Sequence, residues 1–200
     1  MFLGIDIGTS GVKAVVLDTH GAVVGQGVAA LSVQRPYPLW SEQDPEDWWK
    51  ATSAAVLAID PQVRRAVRGI GLAGQMHGAT LLGADDRPLR PAILWNDGRS
   101  FAECAALEAT TPEFRTLGGN IVMPGFTAPK LEWVRRHEPE IFAQVATVLL
   151  PKDYVRLRMT GEKASHMSDR AGALWPHAAG RRRSDPSLGA RGAARAQQPP

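Results

Sequence analysis

Apolar and polar positions fall into short blocks along this chain. Residues 2–7 and 12–17 are two apolar, β-branched runs on either side of Gly8-Thr9-Ser10-Gly11, a pattern that predicts two strands joined by a tight turn. Both faces of each run are apolar, so the hairpin is expected inside a covered sheet. After the turn Thr19-His20-Gly21, residues 22–33 predict a third strand. Asp44-Pro45-Glu46-Asp47 then opens a helix, with Asp44 at the cap, Pro45 in the first turn and acids at the positive end of the dipole. Trp48, Thr52, Ala55, Val56 and Ile59 recur at helical spacing as a core stripe, and Asp60-Pro61 ends the helix.

Residues 68–74 predict a strand so poor in side chains that something must pack close to its backbone. Residues 79–82, 91–94 and 146–150 predict further strands. Ser100-x-x-Glu103 reads as a capping box for a helix to about Ala109, and Thr111-Pro112-Glu113 caps a short one closed by Gly118-Gly119. Thr127 caps a helix to about His137, Glu138-Pro139 starts another, and Pro151-Lys152-Asp153 opens one that stops near Gly161. Tyr37 and Trp40 lie in a proline-broken loop and are expected to pack beneath it. Three antiparallel strands followed by helices fit an α/β or α+β fold, not an all-β one, and no internal repeat is visible.

Composition narrows the class. The 200 residues, 44% hydrophobic and 22% charged, suit a globular soluble protein with one good-sized domain or two small ones. The lone cysteine, Cys104, excludes an internal disulfide framework and fits a reducing cytoplasm; its neighbours place it in the core. No signal-peptide pattern opens the chain, and its longest uncharged run, residues 69–84, is too short and glycine-rich to span a bilayer. The net charge is +3, yet residues 176–200 hold five arginines against one acid, so the body is close to neutral. Charge therefore gives no reason to expect a nucleic-acid partner.

Two places carry candidate chemistry. Asp6 is the polar exception in an apolar strand, where a carboxylate needs a cation or hydrogen-bond donors. The glycines of the turn beside it let backbone bend around a ligand, and its N–H groups with the Thr9 and Ser10 hydroxyls suit phosphate oxygens. Asp6 then stands near the metal that accompanies a nucleotide's phosphates, through water, because Mg²⁺ keeps much of its hydration. The plainer alternative is a hairpin whose Asp6 caps its own turn, with Lys13 a solvated strand residue. The second place is two strand ends, Gln75-Met76-His77 and Trp95-Asn96-Asp97, where α/β sheets usually grip ligands. Donors and acceptors around an aromatic wall suit a polyhydroxylated small molecule. Taken singly, Asn96-Asp97-Gly98 also reads as a turn and His77 as a core histidine.

Asp-x-Gly-Thr-Ser after an apolar strand resembles the first phosphate loop of the actin, heat-shock chaperone and sugar-kinase superfamily, some members of which carry a basic residue where Lys13 stands. Residues 2–13, Trp40-Ser-Glu-Gln-Asp-Pro45, Gly74-Gln-Met-His-Gly78, Ile93-Leu-Trp-Asn-Asp-Gly-Arg99, Pro124-Gly-Phe-Thr-Ala-Pro-Lys130 and Leu150-Pro-Lys-Asp-Tyr154 together resemble the FGGY carbohydrate kinases, in their bacterial branch that acts on D-xylulose. The resemblance runs from Met1 to about Trp175. It implies a ribonuclease H-like domain of the actin-like ATPase superfamily, a mixed sheet with flanking helices, of which this chain matches the first part. It also implies ATP and Mg²⁺ as cofactors, phosphorylation of D-xylulose to D-xylulose 5-phosphate, a cytoplasmic setting, no membrane or nucleic-acid partner, and a homodimer in the full-length form. By matching motif, Met76 and His77 touch the sugar and Asn96 and Asp97 line the same pocket. Asp6 supports metal and phosphates, and Thr9 and Ser10, with Lys13 nearby, face the transferred phosphoryl.

The pattern departs from the family in places. His166 stands where the family usually has Asp, and Arg170 where it has a small residue. The family's general base, an aspartate in a Gly-Asp-Asn motif, and its adenine-binding domain lie downstream of the matched stretch. From Pro176 on, 18 of 25 residues are Ala, Gly, Arg or Pro. This divides the chain into an incomplete kinase domain, 1–175, and a basic tail, 176–200, expected to be disordered and attributed to a reading-frame shift. A natural tail binding an anionic polymer is the alternative. The chain alone is then expected to show no sugar-stimulated ADP release. Other readings are an FGGY kinase for another ketose or polyol, a non-catalytic fragment, or a nuclease of the same fold, which needs clustered carboxylates for two metals.

Overall fold

The computed structural model describes residues 1–111, 114–115 and 119–165. Strands β1 (Phe2–Ile7), β2 (Gly11–Leu17) and β3 (Val23–Ala30) form an antiparallel meander, and the Gly8 N–H donates to the Gly11 carbonyl at 2.9 Å to close the first turn. A short β4 (Glu42–Gln43) precedes helix α1 (Pro45–Leu57), where the Asp44 side chain accepts from the Glu46 N–H at 2.9 Å as the cap pattern requires. Helix α1 stops at Leu57, short of the expected end at Asp60-Pro61, and Asp60 has another role. It caps α2 (Pro61–Arg65), accepting from the Gln62 N–H at 2.6 Å. Strand β5 (Gly69–Gly74) then pairs with β1 in parallel, so the sheet is mixed, with order β3-β2-β1-β5.

Glycines set how α1 lies on this sheet. A Cβ at Gly25 would sit 2.9 Å from the Ile59 side chain, and one at Gly27 would run into the Ala55 backbone, so β3 admits the helix only because both are bare. The buried face of the sheet, Leu3, Ile5, Ile7, Val12, Ala14 and Val16, packs on Trp48, Ala51, Ala55 and Ile59. Each such aliphatic side chain contributes about 1.5–3 kcal/mol on burial. The covered sheet expected from the sequence is covered on one face only among the described residues. Burial alternates strictly along β1, leaving Phe2, Gly4 and Asp6 exposed, and Lys13 and Val28 share their side. The bare backbone of β5 is approached at Gly74, where a Cβ would lie 3.1 Å from the Ile7 carbonyl oxygen, but Gly71 faces open space.

The rest of the chain builds outward from this sheet. Strands β6 (Thr80–Leu82) and β7 (Ala92–Ile93) lead to α3 (Phe101–Thr110), α4 (Thr127–His137), α5 (Pro139–Gln144), β8 (Thr147–Leu149) and α6 (Pro151–Thr160). β4 pairs with β7 and β6 with β8. Gly161 closes α6 in the left-handed conformation, φ +73°. The capping box does not form: Ser100 makes no side-chain cap, and Glu103 is drawn to His137 at 3.2 Å. Thr127 likewise is not the cap of α4. Phe126 holds that position, and the Thr127 hydroxyl is used elsewhere. Cys104 is buried as expected beside Leu107, Phe114 and Phe126; burial first, then Glu103 and Glu108, push its thiol up to about 11. Residues 112–113 and 116–118 of the expected short helix, the departures at His166 and Arg170, and the tail 176–200 lie outside the described residues. No described helix is long and apolar enough to cross a membrane.

Candidate functional site

Parallel pairing of β1 with β5 brings the two candidate loops together. Both strands run the same way, so the glycine turn after Ile7 and the segment after Gly74 leave the sheet at the same end. The Gln75 N–H donates to the Ile7 carbonyl at 2.8 Å, one rung beyond the ladder. Carboxyl ends of parallel strands are where α/β sheets hold ligands.

Buried amides tie the loops side chain to side chain. The Thr9 hydroxyl donates to Gln75 Oε1 at 3.1 Å and accepts from Trp95 Nε1 at 3.0 Å. Gln75 Nε2 and Trp48 Nε1 both donate to Gln43 Oε1 at 2.8 Å, and Gln43 Nε2 donates to the Thr9 carbonyl at 2.7 Å. Gln43 is 1% exposed, so these groups satisfy each other in place of water. The turn predicted for phosphates and the two loops predicted for sugar are thus joined at Thr9. Gln43 is a member that sequence reasoning missed. It sits one residue before the helix cap Asp44, inside the matched Trp40–Pro45 stretch, but nothing local shows its buried partners.

Trp95, Asn96 and Met76 are exposed at this end, and His77 is half-buried. Asp97 belongs to the same loop but is turned inward. It is 2% exposed, with Oδ2 accepting from the Ser41 N–H at 2.6 Å and from Arg99 Nη2 at 2.7 Å. Its Oδ1 accepts from the Arg99 N–H at 2.9 Å and Nε at 3.0 Å. Asp97, expected to line the pocket, is a buried carboxylate whose bonds to Ser41 and Arg99 shape the loop from within. Arg99 also pairs with Glu42 at 2.7 Å and lies 3.5 Å over the Trp40 ring, while Arg90 bridges Glu42 and, at 2.7 Å, Glu138. Trp40 packs edge-on against Tyr37 and Trp133 beneath the loop, whereas Tyr37, expected there too, is 62% exposed.

His77 has φ +60°, a left-handed conformation that costs a residue with a Cβ about 1–2 kcal/mol. Its carbonyl accepts from the Thr127 hydroxyl at 3.2 Å and from Lys130 Nζ at 2.8 Å, and its ring meets Phe126 edge-on at 4.8 Å. Lys130 is 0% exposed and gives a second bond, also 2.8 Å, to the Gly125 carbonyl. Burial lowers its pKa to about 7, with Asp97 raising it and Arg99 lowering it. Among the described residues Leu39 and Asp86 share this left-handed conformation.

Asp6 and Ser10 are exposed, and Lys13 stands directly opposite Asp6 across β1 and β2. Asp6 is therefore not the desolvated carboxylate expected from the strand's apolar pattern. It sits on the open face, with a lysine as its cross-strand neighbour. Among the described residues, no group of three or more His, Cys, Asp or Glu is placed to hold a metal ion.

A mixed sheet of this order with flanking helices is the ribonuclease H-like domain of the actin-like ATPase superfamily. Within it, the chain belongs to the FGGY family of carbohydrate kinases, whose N-terminal domain profile matches residues 1–187. It is 59% identical over 200 residues to the xylulose kinase of Escherichia coli (strain K12), covering 100% of this chain and 41% of that protein. Identity to the xylulose kinase of Klebsiella pneumoniae is 58% over 191 residues, covering 95% of this chain and 40% of that protein. The crystal structure of a xyloylose kinase from Brucella ovis superposes with a TM-score of 0.84 at 58% identity, covering 86% of this chain and 37% of that one. The chain thus spans about 40% of the length of the curated relatives it matches.

Proposed function

We propose that this chain forms the ketose-gripping and phosphate-facing part of a kinase site that moves the terminal phosphoryl group of ATP to D-xylulose, giving D-xylulose 5-phosphate. The observation that carries the reading is the Thr9 hydroxyl, bonded at once to Gln75 and to the Trp95 indole. A phosphoryl donor and a sugar hydroxyl held by these loops would be neighbours, and positioning supplies most of the rate in such a transfer. The xylulose kinases at 58–59% identity support D-xylulose as the acceptor.

Met76, His77 and Asn96 contact the ketose against Trp95, while Asp97 holds the Trp95-Asn96 loop from beneath. The glycine turn, Thr9, Ser10 and Lys13 would hold phosphate oxygens, and Asp6 would hold Mg²⁺ through water. The donor set fits: an exposed carboxylate, hydroxyl and ammonium share one open end of the hairpin. ATP supplies the phosphoryl group, and Mg²⁺ offsets its charge. Asp97, locked by Arg99, is no candidate for the general base, whose carboxylate must reach the sugar hydroxyl. That base belongs outside the described residues, and the 200-residue chain is proposed to bind ketose without turnover. The same reading makes it part of a cytoplasmic enzyme, a homodimer in its full-length form.

Titrating D-xylulose into the 200-residue chain with ATP and Mg²⁺ present, while recording tryptophan emission and ADP formation, tests this. A saturable emission change that vanishes in Trp95→Phe, with no sugar-dependent ADP, is expected. Tighter binding of D-ribulose or glycerol would move the assignment to another FGGY substrate. Turnover that disappears in Asp6→Asn would show that the chain catalyses unaided.

A further inference from the structure

We infer that Lys130 is a positioning residue for the sugar loop: one buried ammonium clamps the His77 and Gly125 carbonyls together and so fixes where His77 presents its ring. The inference takes from the proposed function only that His77 touches the ketose. The clamp itself stands on geometry. Lys130 Nζ lies 2.8 Å from each carbonyl oxygen, and Thr127, one turn earlier on α4, adds a hydroxyl to the same His77 carbonyl at 3.2 Å.

Each partner of the clamp belongs to a different wall of the site. His77 follows β5, in the left-handed conformation that a side-chain-bearing residue rarely holds without support. Gly125 precedes α4 and presses on the Trp95 loop, since a Cβ there would lie 2.8 Å from the Trp95 carbonyl oxygen. The Phe126 ring between them stacks edge-on against His77. An ammonium withdrawn from water is costly unless its protons are donated, and here two of them go to the backbone of two separate loops. The charges of Asp97 and Arg99, which belong to the Trp95 loop, act on the same ammonium.

Carbon-13 shifts of histidine in the 200-residue chain, with His77 assigned through His77→Gln, report its backbone conformation directly. In Lys130→Met the Cα and Cβ shifts of His77 are expected to leave left-handed values while those of His20 stay, and Kd for D-xylulose to rise about tenfold. Thr127→Val, which removes one donor and keeps the volume, is expected to move the same shifts less. Unmoved His77 shifts in both variants overturn the inference, as does a displaced His77 with unchanged Kd. Should Lys130→Met fail to fold, Thr127→Val decides by the same criterion. A wild-type chain that binds no D-xylulose while His77 still moves leaves the clamp standing and removes the proposed substrate instead.

Discussion

Asp97→Ala separates a carboxylate that serves a ligand from one that serves the loop. Asp97 is 2% exposed and spends both oxygens on Ser41 and Arg99. Removing one partner of a buried ion pair costs about 3–5 kcal/mol, because the other charge stays behind. Arg99 retains Glu42 at 2.7 Å and the face of Trp40, which places the loss near the low end, about 3 kcal/mol. The Ser41 N–H, left without its acceptor, adds about 1 kcal/mol. A total near 4 kcal/mol lowers the melting temperature of a domain this size by roughly 10 °C. Asp97→Asn keeps an acceptor for Ser41 and is expected to cost about half as much. Urea unfolding followed by tryptophan emission measures both, read as a shift in midpoint at constant slope. The reasoning fails if Asp97→Ala loses less than about 1 kcal/mol yet abolishes D-xylulose binding, since the carboxylate would then face the ligand.

Other substitutions probe the remaining parts. Gln43→Leu leaves Trp48 Nε1 and Gln75 Nε2 without their acceptor and is expected to cost about 1–3 kcal/mol; an unchanged urea midpoint would mean the amide network contributes nothing. Gly27→Val forces α1 off β3 and is expected to cost at least about 3 kcal/mol in thermal melting by circular dichroism, whereas a neutral result would deny their close approach. Lys130 titrates near 7 when folded against 10.5 ordinarily, so between these values the unfolded chain holds the extra proton. Stability then rises with pH from about 7 upward, by up to about 1.4 kcal/mol per unit from this group, and Lys130→Met removes that rise. An equal rise in the variant would assign the slope to other groups. Cys104, buried and raised to about 11, is expected to react with a disulfide reagent at least tenfold slower than a free thiol, and equal rates would show that its cluster opens.

Local features of the fold were legible where neighbours in sequence decide the outcome. The glycine turn, the Asp44 cap and the stripe from Trp48 to Ile59 each depend on a few adjacent residues, and each forms as its pattern predicts. The capping box failed because Glu103 meets His137 from α4, a partner 34 residues away that no local pattern shows. The second face of the hairpin was apolar enough to read as covered, but the described helices α1 and α6 pack on the other face. At the site, the strand ends carrying Gln75 and Trp95 were legible as loops at one end of the sheet, and they meet at Thr9. Their inner supports were not: Arg99 and Lys130 stand in the matched motifs, but no local pattern shows their buried partners. In the structure α4 is buried on every side from Thr127 to Val134.

The rung from Gln75 to Ile7 and the Thr9 bonds make the glycine turn and the Gln75 segment one rigid piece. Under the proposed function, redesign for a different acceptor sugar could not treat that segment as a free variable, because shifting it would drag the proposed donor end along. Met76 and Asn96, whose side chains are exposed beyond the shared hydrogen bonds, would then be the positions at which preference could be retuned without moving the other reactant.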